Sequence, residues 1–272
     1  MPVQTQKNND ILSRIIENKR KEVDLTKKKM PLESFVSELT KSKRSFADAI
    51  SHSNNHDTDD DAPHLIAEIK PASPSSGNIR SVDNIELLRI TAIYNRYADA
   101  ISVLTDKKYF GGDIKNLQIV SRSSKIPVLR KDFIIDAYQI YESRHYGADA
   151  ILLIASVLDV GQITEYMQIA KKLKMASLVE VHNNQELEIA LKATSSIIGI
   201  NNRDLSAMEV SLGTTHELIK FIPEDKIIVS ESGIKTHSDM SSLGKAGVDA
   251  VLVGTAIMSG DIEKNIRQLR GL

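Results

Sequence analysis

The chain has 272 residues, 41% of them hydrophobic, enough to bury one large core, and parallel α/β barrels commonly fill about 250 residues as one domain. Its 35 Lys+Arg against 36 Asp+Glu leave a net charge of −1, so no global field draws it to nucleic acid or an acidic membrane surface. The absence of cysteine excludes disulfides, thiolate zinc sites and a cysteine nucleophile together.

The N-terminus carries no apolar stretch of the signal-peptide kind, and no run approaches the length of a membrane span. A soluble, cytoplasmic protein is expected. Ile11, Leu12, Ile15, Ile16 and Val23 recur at helical spacing, with Asn9 or Asp10 as N-cap. Pro31 suits a first helical turn, and a second helix is expected from there to about Ile50. Residues 1–50 thus read as a helical extension. Its Lys19-Arg20-Lys21 and Lys27-Lys28-Lys29 clusters are interleaved with Glu17, Glu22 and Asp24, the pattern of a solvated helix face rather than a nucleic-acid arm. Residues 51–64 read as an acidic linker. The stretch HSNNHDTDDDAPH within it offers three histidines and four aspartates, but no apolar anchor and no metal-ligand spacing, so no metal is expected there.

From residue 65 short apolar runs alternate with segments of helical pattern. The runs are Leu65–Ile69, Ala100–Leu104, Ile126–Leu129, Ala150–Ile154, Ser177–Val181, Ile197–Ile200, Ile227–Val229 and Ala250–Val253. Eight strands alternating with helices mean βα units, and no glycine-rich dinucleotide fingerprint follows the first. The expected fold is a closed (β/α)₈ barrel, 1–272 being one domain with the N-terminal extension attached. Gly-Ala-Asp at 147–149 and Gly-Val-Asp at 247–249 hint at an internal repeat.

Barrel strands alternate inward and outward side chains, and active sites gather at the strands' C-terminal ends. In the first strand Ala67 and Ile69 suit the helix-facing side, which turns Glu68 and Lys70 inward. Likewise Val179 and Val181 suit the outside and leave Glu180 pointing in, while Lys131 shares parity with Leu129 at the end of strand three. A buried carboxylate or ammonium is unfavourable unless paired or used. Strands one, three and five supply one interior layer, so Glu68, Lys70, Lys131 and Glu180 form a candidate acid–base group. The competing reading is structural ion pairing. Asn201 and Arg203 share parity with Gly199 and are candidates to touch a polar substrate, or else to cap a turn. His182 lies near a strand end without an evident partner.

Strands seven and eight end in Ser230-Glu231-Ser232-Gly233-Ile234 and Val253-Gly254-Thr255-Ala256. Glycine admits close backbone approach, amides at a helix start attract anions, and these two loops are this fold's usual phosphate cradle. A small phosphorylated molecule is therefore the expected ligand. Ser232 lacks the elbow and partnered histidine of a nucleophile.

Seven motifs in order carry a resemblance over nearly the whole chain. They are IAEIKPASPSSG (66–77), ISVLTDKKYFGG (101–112), PVLRKDFIIDAYQIYESRHYGADAILLIA (127–155), LVEVH (178–182), IIGINNRDL (197–205), VSESGI (229–234) and VLVGTAIM (251–258). With the N-terminal ILSRIIENKRKEV, the chain resembles the indole-3-glycerol phosphate synthases. The resemblance implies ring closure of 1-(2-carboxyphenylamino)-1-deoxyribulose 5-phosphate to indole-3-glycerol phosphate, with loss of CO₂ and water and no cofactor. It makes Lys131 the general acid of ring closure. Lys70 holds the substrate carboxylate or serves as acid in dehydration. Glu180 and Glu68 steady developing charge or remove protons. Asn201, Arg203, Glu231 and Ser232 orient the substrate, Ser73, Gly233, Gly254 and Thr255 bind phosphate, and Phe110 lines the pocket for the aromatic ring. A monomer is expected.

A lysine whose pKa is lowered by burial and a second cation is the expected proton donor near neutral pH. Departures from the family pattern fall at Pro71, Thr255, Tyr97-Ala98-Asp99 and the linker, none of them among the four ionisable groups. Three alternatives stand beside this reading: a phosphosugar barrel of the phosphoribosylanthranilate isomerase kind, a Schiff-base aldolase, and a non-catalytic phosphate-binding barrel. Substitution of either lysine, borohydride trapping and turnover separate them.

Overall fold

The computed structural model describes residues 11–51, 62–204 and 209–272. In chain order the elements are α1 (Ile11–Lys29), α2 (Phe46–Ala49), β1 (His64–Ile69), β2 (Ala72–Ser73), β3 (Gly77–Asn78), α3 (Asn84–Tyr97), β4 (Ala100–Leu104), α4 (Lys107–Phe110) and α5 (Ile114–Ser123). There follow β5 (Val128–Lys131), α6 (Ala137–His145), β6 (Ala150–Ile154), α7 (Val160–Lys172), β7 (Ala176–Val181), α8 (Asn184–Lys192), β8 (Ile197–Asn201) and α9 (Gly213–Leu218). The chain ends with β9 (Ile227–Glu231), α10 (His237–Lys245), β10 (Ala250–Val253), α11 (Thr255–Met258) and α12 (Ile262–Arg270).

Eight strands close in the order β1, β4, β5, β6, β7, β8, β9, β10 and back to β1, all parallel, as the alternating pattern predicts. The short β2–β3 hairpin lies outside the barrel sheet. The outward residues Leu65, Ala67, Ile69, Val179 and Val181 pack with the helices in the larger apolar cluster. The inward residues Ile66, Leu129, Leu152, Leu178 and Leu252 fill the barrel. Helices start where an acid or amide can take a first-turn amide: Asp83 accepts from Glu86, Asp159 from Gln162 and Asn183 from Glu186.

The Gly-Ala-Asp and Gly-Val-Asp pattern has a physical meaning. Asp149 Oδ2 accepts the Val128 amide and Asp249 Oδ2 the Ile228 amide, at 2.9 and 2.8 Å. Asp99 does the same for Leu65 at 2.7 Å. Each aspartate precedes one strand and ties down the start of its neighbour. The recurring unit is a stitch at the N-terminal end of the barrel.

The extension departs from expectation. Helix α1 forms, while its expected N-cap at Asn9 or Asp10 lies outside the described residues, as does most of the acidic linker (52–61). No long helix runs from Pro31 to Ile50. Two 3₁₀ turns, Leu32–Ser34 and Val36–Glu38, precede an irregular stretch and the single turn of α2. The reason is tertiary. This segment links α1, held near the C-terminal end of the strands, to a plug at the opposite end. There Phe46 and Ile50 pack with Ala100, Ala150, Ile197 and Ala250 inside the barrel. Arg44 pairs with Asp149 at 2.7 Å, and Ser42 donates to the same aspartate at 2.7 Å. Spanning that distance takes an extended chain, because a helix rises only about 1.5 Å per residue.

Strand β5 begins at Val128 rather than Ile126, since Pro127 has no N–H for a ladder, and it runs on to include Lys131.

Candidate active site

Four of the eight strands end in an ionisable group pointing into one space. Glu68 is the fifth residue of β1, Lys131 closes β5, Glu180 is next to last in β7, and Glu231 closes β9. These strands alternate around the barrel, so their inward residues fall in one layer. The strands between them make room. A Cβ at Gly199 on β8 would overlap Glu231 Oε1, and one at Gly254, just past β10, would overlap Glu68 Oε1. At Gly254 the missing side chain thus accommodates a neighbouring carboxylate, where the sequence offers only the approach of a ligand.

Lys131 Nζ lies 2.9 Å from Glu180 Oε2 and 3.0 Å from Glu231 Oε2, and Lys70 Nζ lies 3.1 Å from Glu68 Oε1. The carboxylates are shut away from water, with Glu231 1% exposed. Burial works against the charge of Lys131, but Glu180, Glu231 and Glu68 outweigh it and raise the pKa above the ordinary lysine value. This corrects the expectation of a lowered lysine pKa: three carboxylates face the ammonium where the sequence suggested a second cation. Burial also opposes ionisation of Glu180, yet Lys131 and His182 hold its pKa well below the ordinary range. Glu231 goes the other way. Burial, with Glu180 and Glu68 nearby, pushes it up to about 7 although Lys131 opposes the rise. Neighbouring carboxylates driven apart in this way are a mark of acid–base sites.

The layer forms the floor of a cavity of about 650 Å³, within the usual range for small-ligand pockets. Twelve of the thirteen expected site residues line it: Glu68, Lys70, Phe110, Lys131, Glu180, Asn201, Arg203, Glu231, Ser232, Gly233, Gly254 and Thr255. Ser73 does not. It is buried in the β2–β3 hairpin, where its hydroxyl accepts the Ser76 amide at 3.1 Å, and Ser76 lines the cavity instead. Phe110 stands at the end of α4, whose N-cap Asp106 accepts from Tyr109. Its ring meets Phe133 at 6.0 Å between centroids, and with Leu104, Leu152 and Ile154 the two rings build an apolar wall.

Opposite that wall are Arg203, Ser232, Gly233 and the first residues of α11. Among the described residues no carboxylate pairs with the Arg203 guanidinium. Ser232 holds a left-handed backbone at φ 66°, followed by Gly233 at 87°. Asn202 fixes this turn. Its Nδ2 donates to Ser230 Oγ, Glu231 O and Ser232 O at 2.9, 3.0 and 3.1 Å, while Oδ1 accepts from Thr215.

Sequence reasoning missed Phe133, Ser76 and Asn202. Alternation gave a signal for Phe133, two residues past Lys131. Asn202 faces outward, so only its hydrogen bonds across to β9 disclose it. Among the described residues no group of three His, Asp or Glu side chains is placed to hold a metal ion, and no helix is long and apolar enough to cross a membrane.

A parallel eight-stranded barrel with charged strand ends beneath an open C-terminal mouth defines a barrel enzyme of the acid–base class. The sequence profile of the indole-3-glycerol phosphate synthases matches residues 12–269. An indole-3-glycerol phosphate synthase of Alkaliphilus metalliredigens is 44% identical over 264 residues, covering 96% of this chain and 98% of its own. One from Dehalococcoides mccartyi strain CBDB1 is 51% identical over 210 residues, 75% of this chain and 80% of its own. The chain belongs to the indole-3-glycerol phosphate synthase family. The fold also matches 3-hexulose-6-phosphate synthase from Salmonella typhimurium, with a TM-score of 0.62 at 14% identity over 76% of this chain and 97% of that one. That likeness is one of fold alone.

Proposed function

We infer that the protein performs the indole-3-glycerol phosphate synthase reaction of tryptophan biosynthesis, a carbon–carbon lyase reaction that closes the indole ring with loss of CO₂ and water. The observation that carries the mechanism is Lys131, held between Glu180 and Glu231 beneath an aromatic wall. Family membership sets aside the isomerase-like, aldolase-like and non-catalytic readings.

The substrate is an anthranilate ring joined to a phosphorylated keto sugar. Its aromatic part suits the Phe110–Phe133 wall. Its phosphate suits the other side, where Arg203, the Ser232–Gly233 turn and the first amides of α11 lie, which take no side-chain cap among the described residues. Ring closure joins an aromatic carbon to the ketone carbon, and the ketone oxygen takes a proton from Lys131. The raised pKa keeps this lysine charged until an alkoxide, a stronger base, develops beside it. CO₂ then leaves the ring carbon and returns its electron pair to the ring. Glu231, whose proton affinity burial raises and which lies 3.0 Å away, is placed to return a proton to Lys131. Dehydration expels the former ketone oxygen as water, with Lys70 as acid or carboxylate holder. Glu180 takes the one proton lost from the sugar carbon beside the anilino nitrogen as the ring double bond forms, and Glu68 steadies the developing charge.

We further propose that extension and barrel form one domain, since Lys19, Arg44, Phe46 and Ile50 all join the extension to barrel residues. A cytoplasmic monomer acting on a small phosphorylated molecule, and not on nucleic acid or membrane, completes the reading.

The test is indole fluorescence on mixing the protein with 1-(2-carboxyphenylamino)-1-deoxyribulose 5-phosphate in EDTA. The chain has no tryptophan, so the background is low. Rising emission with CO₂ release is expected; a folded protein that binds the substrate and yields neither product overturns the reading.

A further inference from the structure

The ring of His182, the residue after β7, sits between two carboxylates. Nδ1 lies 2.8 Å from Glu186 Oε2, and Nε2 faces Glu180 Oε1 at 3.4 Å. Glu186, in the first turn of α8, is itself held, because it also accepts the His182 amide at 2.9 Å and Asn183 Nδ2 at 2.8 Å. A carboxylate this close makes Nδ1 a proton bearer. In a neutral ring the lone pair on Nε2 would then face the Glu180 oxygen, two acceptors turned on each other with Nε2 out of contact with water. That arrangement is repulsive at low dielectric, so both nitrogens carry protons and the ring is an imidazolium. Among the described residues Glu180 and Glu186 are the charged groups within ion-pair range of the ring. Burial opposes the charge, and the two carboxylates overcome it, raising the pKa to about 10.

Glu180 is therefore held by two cations, one to each oxygen: Lys131 at Oε2, 2.9 Å away, and His182 at Oε1. The 3.4 Å contact is an ion pair without hydrogen-bond alignment, so Oε1 keeps a lone pair for another donor. We propose that His182 is a positioning residue which, as an imidazolium anchored by Glu186, keeps Glu180 ionised and aimed after Lys131 has given up its proton. This rests on the reading of Glu180 as a base. When Lys131 protonates the substrate it becomes neutral, and Glu180 loses the attraction at Oε2. Without a second cation its proton affinity would rise until Glu231 returns a proton to Lys131, and Glu180 would compete for that proton before dehydration needs a carboxylate there. His182 takes no part in bond making and supplies that second cation throughout.

The experiment compares full-length His182→Gln, His182→Lys and Glu186→Gln with the unaltered protein. His182→Gln should lower kcat about 10- to 100-fold with KM changed less than about threefold, and move the acid limb of the kcat–pH profile up by about one unit. His182→Lys should restore much of kcat and the acid limb, which a purely structural role would not predict. In the unaltered protein ¹⁵N shifts of the ring should report two protonated nitrogens at neutral pH, and Glu186→Gln should bring that titration down. A folded His182→Gln protein with unchanged kcat and pH profile overturns the proposal, as does a neutral ring at pH 7. Should His182→Gln fail to fold, the ring shifts and the Glu186→Gln profile still decide. Glu180→Gln run alongside separates the two claims. Turnover kept there overturns Glu180 as base, whereas turnover lost there but unaffected in His182→Gln overturns the positioning role alone.

Discussion

Gly254 and Glu68 share one space. A Cβ on the glycine would overlap Oε1 of the carboxylate, and the same relation joins Gly199 to Glu231. The bare positions at Gly199 on β8 and Gly254 just past β10 leave room for carboxylates of the neighbouring strands in the layer around Lys131. Gly254→Ala and Gly199→Ala should therefore fold but displace Glu68 and Glu231 respectively. A shift of about 1 Å near reacting groups lowers turnover on the order of 10²-fold, so kcat should fall by roughly that much with a smaller change in KM. Steady-state kinetics check this, and a change confined to KM would return Gly254 to a purely phosphate-binding role.

Lys131→Ala should fold and still bind phosphorylated sugar, while turnover drops on the order of 10²- to 10⁴-fold, the scale of general acid–base catalysis. Substrate turnover and circular dichroism on the same preparation provide the check. Wild-type turnover in the folded variant removes Lys131 from its role.

Lys19 on α1, expected from its cluster to lie on a solvated helix face, is instead 4% exposed and lies 2.9 Å from each of Asp106, Asp132 and Glu22, because the two barrel aspartates draw it in. Asp106 caps the helix that ends in Phe110, and Asp132 accepts the Phe133 amide. Lys19→Met leaves two aspartates buried without their shared cation, a loss of about 3–5 kcal/mol for a broken buried pair. Urea unfolding should show a lower midpoint, and KM should rise because both aromatic rings lose their anchor. An unchanged midpoint would mean that α1 is not fastened through this lysine.

Asp132 gives the acid limb of stability a defined window. Burial disfavours its charge, but Lys19 and Arg130 bring the folded pKa down to about 2, against an ordinary 3.8. A depressed carboxylate pKa stabilises the fold above the unfolded value and loses that contribution as pH falls through the folded one. The contribution is about 2 kcal/mol, at about 1.4 kcal/mol per unit. Asp132→Asn should flatten the fall in stability between pH 3.8 and about pH 2. Urea midpoints across that range that parallel the unaltered protein would sink the assignment.

Thr255→Ala should be nearly silent, with kcat and KM within about twofold, because the anion contact expected there comes from a backbone amide. Thr255 is an exposed residue at the start of α11. A large rise in KM would assign the phosphate contact to its hydroxyl.

Period and parity carried most of the fold. Alternation of apolar runs with helical segments sufficed for eight βα units, and alternation within a strand turned Glu68, Glu180 and Lys131 inward, because a residue next to a helix-facing valine or isoleucine has one other side to occupy. Local rules failed where distant residues decided. Pro31–Ile50 has the residues of a helix but is drawn out between α1 and the Phe46–Ile50 plug. His182 is a different case: its partners Glu180 and Glu186 lie two residues before it and four after, and only the turn from β7 into α8 shows that both face its ring.

By itself, the sequence determined which strands exist, which residues face the barrel and which family the motifs resemble, since these follow from short-range periodicity and order. Tertiary structure alone decided the electrostatics. The proton affinity of Lys131 depends on how many carboxylates lie within a few ångströms, and two of its three come from strands β7 and β9, distant in sequence. Charge interactions depend on distance through space, so the chain had to close into a barrel before that lysine's affinity rose and the affinities of Glu180 and Glu231 parted.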